Sequence, residues 1–140
     1  MKSIKELSME VQNEITMDDV VEAIIYKSKQ KKIPKSQAFL QQAFYRLQKV
    51  EPELFSDFIF DESGINPFSD ELDSILFRLE ASTILSTLNP SYRNYTIANF
   101  PELLRESYNK FKRDRQTAQI DRCASIFSDL VQSQVYSDEQ

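Results

Sequence analysis

Histidine is absent from this sequence, and glycine and cysteine occur once each, as Gly64 and Cys123. Without histidine the chain lacks the usual proton shuttle of neutral pH and the commonest metal ligand. No Ser–His or Cys–His nucleophilic pair can form. One cysteine makes neither an intrachain disulfide nor a structural zinc site. One glycine excludes the phosphate loop and the dinucleotide fingerprint, and argues against a sandwich or barrel built on glycine-rich turns. No apolar run approaches the ~20 residues of a membrane span. The opening residues are charged and amphipathic, unlike a secretory signal. These absences predict a cytoplasmic protein that is not an enzyme, holds no cofactor or metal and does not enter a membrane.

What is present builds one helical domain. The chain has 140 residues, 41% of them hydrophobic, with ten Phe and six Tyr, which is material enough for one core. Ile4, Leu7, Val11 and Ile15 form the stripe of a leading helix. Thr16 and Asp19 read as a capping box, stapled by Ile15 and Val20. The helix they open carries Val20, Val21 and Ile24, ends in lysines that complement its dipole, and stops at Pro34. Phe39, Leu40, Ala43, Phe44, Leu47 and Val50 predict the next helix, over 35–50. Phe55, Phe58, Ile59 and Phe60 read as a short buried strand or a packed loop, followed by a turn at Gly64, Asn66 and Pro67.

Ser69 caps a third helix with Asp70, Glu71 and Asp73 in its first turn and Leu72, Ile75, Leu76 and Leu79 as its core stripe. Segments 83–88 and 93–97 are rich in β-favouring residues around a turn at 89–92 and predict a hairpin. Asn99 and Glu102 open another helix, with Phe100, Leu103, Leu104 and Phe111. Ile120, Ala124, Phe127 and Val131 mark the last. The fold class is therefore mainly α, one domain over 1–136 with a polar tail at 137–140.

The order helix, helix, aromatic segment, helix, hairpin, helix resembles a winged-helix domain with extra N- and C-terminal helices. In that likeness the Ser69 helix is the recognition helix and 83–97 the wing. A narrower likeness lies in Asn66-Pro67-Phe68-Ser69-Asp70-Glu71-Leu72-Asp73, continuing through Leu79-Glu80-Ala81-Ser82-Thr83-Ile84-Leu85 to Asn89-Pro90. It is similar to small bacterial accessory proteins: the middle components of ABC-type three-component defence systems, and Panacea-type antitoxins. The resemblance implies a non-catalytic partner of a larger effector, within a bacterial defence or toxin–antitoxin system.

Charge decides which surface such a domain would use. Nine carboxylates lie between Glu51 and Glu80 against Arg78 alone, a local balance of −8 within a chain of −5 overall. A recognition helix that opens on Asp70, Glu71 and Asp73 would be repelled by DNA phosphates. These three, with Phe58 and Phe68 as apolar anchors, are the candidate contacts to a basic protein effector. The alternative is a DNA-binding winged-helix regulator. It would use Lys29, Lys31 and Lys32 together with Lys110, Lys112, Arg113 and Arg115, the second group interleaved with aromatics. The near-heptad spacing of the last helix also offers a homodimer seam. The carboxylates over 57–73 do not have the spacing of a calcium loop and read as a charged helix start beside a solvated loop. Cys123 reads as a small apolar helix residue, although Arg122 beside it could lower a thiol pKa.

Overall fold

Thr16 begins the first helix, α1 (Met17–Ser28), in the reciprocal way its sequence predicts. Its hydroxyl accepts from the Asp19 amide at 3.3 Å, and the Asp19 carboxylate accepts from the Thr16 amide at 2.9 Å. In the computed structural model, residues 15–82, 85–86, 94–97, 101–113 and 115–139 are described. The first fourteen residues of the expected leading helix, and the Asn99 cap, lie outside them. After α1 come strand β1 (Lys32–Pro34), α2 (Gln37–Val50), a loop over 51–69, and α3 (Asp70–Ala81). Strands β2 (Leu85–Ser86) and β3 (Asn94–Ile97) follow, then α4 (Pro101–Arg113) and α5 (Thr117–Glu139). The protein is mainly helical.

The starts of α1, α2 and α3 follow from caps. Ser36 and Ser69 accept from the amides of Phe39 and Leu72, satisfying donors that no helical carbonyl can reach. Pro101 opens α4, where its fixed φ fits and its missing N–H costs nothing. Two ends close in left-handed geometry without glycine: Lys29 after α1 and Arg115 after α4, each at φ 59°. α5 continues to Glu139, past residue 137 where composition predicts a tail.

The three strands form one antiparallel sheet in the order β1-β3-β2. Ile33 pairs with Tyr95, and Leu85 with Ile97. The β2–β3 pairing agrees with the expected hairpin, whose connection over 87–93 lies outside the described residues. The strand at 32–34 is a finding the sequence does not announce. Pro34 reads there as a helix stop, yet on an edge strand a missing donor is tolerated. The aromatic run at 55–60 is a packed loop, and beyond it the Asp61–Phe68 bridge closes the segment.

Phe44 stands at the centre of the core, its ring 6.2 Å from Phe55 and 5.4 Å from Phe127. Two expectations are corrected here. Phe58 is buried against Phe55 and Phe60 and offers no anchor to a partner. A loop of this length between helices must bury apolar side chains to stay ordered, and Phe58 is one of them. The α5 stripe of Ile120, Ala124, Phe127 and Val131 is also wholly buried, so the spacing that resembles a dimer seam fills this core instead.

Candidate functional site: the outer face of α3

The placement of α3 depends on a row of polar side chains along α2. Gln41, 1% exposed, grips the backbone of Ser69 from both sides. Its Nε2 donates to the Ser69 carbonyl at 3.1 Å, and its Oε1 accepts from the Ser69 amide at 2.8 Å. Gln48 Nε2 donates to the carbonyls of Phe55 and Phe58 at 2.9 and 2.8 Å. Gln42 donates to Asn66 at 2.6 Å, and the Tyr45 hydroxyl to Glu62. Residues 41, 45 and 48 recur every three or four positions, so one face of α2 holds the loop that delivers α3.

From that anchor α3 turns Leu72, Ile75, Leu76 and Leu79 inward. Outward it presents Asp70, Ser74, Phe77, Arg78 and Ala81, and Phe77 is 72% exposed. Around Phe77 lies an open depression of about 330 Å³, lined by Gln37, Asp73, Ser74, Leu76, Arg78 and Glu80 as well. Asp73 Oδ1 accepts from Gln37 Nε2 at 2.9 Å. A second depression of about 200 Å³ shares Gln37 as a wall and runs to Pro67 and Phe68. Phe68 is 38% exposed.

Among the described residues, Arg78 and Lys35 near this face are already engaged. Arg78 makes a two-pronged contact with Asp18 at 3.0 and 2.8 Å, which holds its guanidinium pKa above the usual value. Lys35 lies 3.8 Å from Glu80. Asp70 is exposed, and Glu71 accepts from the Ser69 hydroxyl at 3.0 Å. Phe68, Asp70, Glu71 and Asp73 therefore gather at one end of α3, as the sequence places them, while Phe58 does not join. Asp61 is held below the usual carboxylate range by the hydroxyl and amide of Ser63.

Phe77 and Gln41 were not foreseen. Phe77 falls out of phase with the Leu72, Ile75, Leu76, Leu79 stripe, and that is a legible signal for an outward aromatic. Gln41 lies one position from Leu40 and three from Phe44, on the edge of the α2 stripe. Its amide could have marked it as a core polar group seeking a buried partner.

The basic candidates are divided. Lys110 is spent inside, 3.0 Å from the buried Asp19 carboxylate. Lys112 stands 5.8 Å from the centroid of the Tyr108 ring, and Lys27 stands 5.1 Å from the same centroid. Two basic groups far apart in sequence thus meet at one aromatic. Burial first, then the bond from its hydroxyl to Asp121 at 2.9 Å, pushes the Tyr108 pKa up to about 12. Lys29 occupies the left-handed cap of α1, Lys31 is exposed, and Lys32 is exposed at the start of β1. Arg113 and Arg115 are exposed at the end of α4.

Cys123 is fully buried, and burial pushes its thiol up to about 12. Arg122 is drawn away to Glu51 at 2.8 Å. The side chain is packing, not a nucleophile. Among the described residues no three His, Cys, Asp or Glu side chains are placed to hold a metal ion. No described helix is long and apolar enough to cross a membrane. Compared with family models, characterised proteins and solved structures, the chain matches none.

Proposed function

We propose that this chain is a non-catalytic, cytoplasmic interaction subunit of winged-helix type, which binds a larger effector protein through α3. The exposed Phe77 between carboxylates carries this reading. On a helix that would lie in a DNA groove, such a face repels phosphate and offers an apolar anchor to polypeptide. The helix, strand, helix, helix, strand, strand order and the β1-β3-β2 sheet support the winged-helix label. A place in bacterial defence or in a toxin–antitoxin pair rests on the resemblance of the Asn66 to Pro90 segment. The test is affinity capture from the native host with wild-type chain and with Phe77→Ser. A stoichiometric protein held by the first and lost by the second supports the reading. Equal capture by both, or none, rejects it.

The second reading, DNA binding, is favoured by the meeting of Lys27 and Lys112 at Tyr108. It requires a shift of DNA flanking the gene that weakens steeply with salt. Lys112→Glu should abolish that shift and leave capture of a protein through α3 intact.

A further inference from the structure

We infer that the occupant of the α3 face is an amphipathic helix of the partner, apolar on its contact stripe and bordered by Lys or Arg. This rests on the reading above and specifies its ligand. Asp70, Ser74, Phe77 and Ala81 follow one another at spacings of four, three and four along the exposed side of α3. That is a single helical stripe, roughly 17 Å long from its first to its last residue. The backbone amides and carbonyls between its ends are bonded within the helix, so the stripe has no free edge to pair with a strand. Recognition must come through side chains, and a straight stripe of side chains matches another helix laid beside it.

The sizes along the stripe favour the same occupant. Phe77 projects between Ser74 and Ala81, two small residues that let a neighbouring helix approach while the ring enters a gap between its side chains. The 330 Å³ depression beside Phe77 gives room for one apolar side chain of the partner, with Leu76 in its lining. Charge fixes the border. The first turn of α3 offers Asp70, Glu71 and Asp73, and among the described residues Arg78 and Lys35 near the face already stand against Asp18 and Glu80. A cationic border on the partner meets unsatisfied negative potential there, whereas an acidic border is repelled. Beyond Gln37, which donates to Asp73, the second depression runs to Phe68, where the end of the partner helix or the residue following it can rest.

The experiment uses isotope-labelled full-length chain and two synthetic amphipathic peptides of about 18 residues, five helical turns. One has a leucine stripe bordered by lysine, the other the same stripe bordered by glutamate. The lysine peptide should shift the amides of 70–81 and the side-chain amide of Gln37, and become helical on binding. The glutamate peptide should not bind. Phe77→Ser should weaken the lysine peptide about tenfold, the loss of one anchor residue. Asp70→Asn combined with Asp73→Asn should weaken it less and reduce its salt dependence. The inference is overturned if the shifts map elsewhere, such as around Tyr108, if the glutamate peptide binds as well, if Phe77→Ser has no effect, or if neither peptide binds. Host capture that still depends on Phe77 would then leave the interaction reading standing without the helix.

Discussion

Two junctions in this domain place polar groups facing inward and satisfy them by different chemistry. Where α1 meets α4, the inward groups are acids: Asp19 is neutralised by Lys110, and Glu22 accepts from the Ser107 hydroxyl at 2.7 Å. Where α2 holds the loop that leads into α3, they are neutral amides, Gln41 and Gln48, bonded to backbone. Acids on the α3 side point to solvent. Glu22 makes the first junction sensitive to proton concentration, and the second leaves its charge available for recognition. A buried amide carries no ionisation penalty, so α3 can be fixed firmly while its outer surface stays strongly negative.

Removing the amide clamp should have the largest effect. Gln41→Ala strands the buried N–H of Ser69, whose carbonyl keeps its bond from the Asp73 amide, and should cost about 1–3 kcal/mol in urea unfolding. If the cost is near zero, the hold of α2 on the start of α3 does not depend on the amide, and the two junctions do not differ in this way. Next is Lys110→Ala, which leaves the Asp19 carboxylate with only its capping bonds and should cost about 1–2 kcal/mol. A smaller effect of opposite sign is expected at Glu22. Burial, outweighing the Ser107 bond and reinforced by Asp19 and Asp18, raises its pKa above the ordinary 4.5. The folded state then holds more protons than the unfolded state just above pH 4.5. The contribution of Glu22 to stability is accordingly full below that range and falls as pH rises through the raised value. Glu22→Gln keeps an acceptor for Ser107 and should raise the melting temperature at neutral pH, with little change in acid. Least of all, Phe77→Ser should alter stability by no more than about 0.5 kcal/mol, since the ring is exposed. A large loss there would mean that Phe77 serves the fold and not a partner.

Much of the scaffold was readable because its signals are local. Thr16 with Asp19, and Ser69, sit within three residues of the amides they cap, and the apolar stripes of α2, α3 and α5 recur at the helical period. What escaped was long-range. β1 exists because β3, some sixty residues later, pairs with it, and a three-residue strand ending in proline carries no period of its own. Phe58 can be read as a core ring or as a surface anchor until the loop over 51–69 has a path. Lys27 and Lys112 meet only once α1 packs on α4. Within the site, the acids were evident from composition, while the clamp behind them and the aromatic among them needed the fold.

The grip of Gln41 on Ser69 has a kinetic corollary. Ser69 lies outside any helix or strand, where amide protons ordinarily trade with solvent quickly. Here its N–H is donated to a side chain rooted in another helix and sealed at 0% exposure. Deuterium should enter that position only when α2 and α3 part, which makes one loop amide a clock for the separation of the two helices.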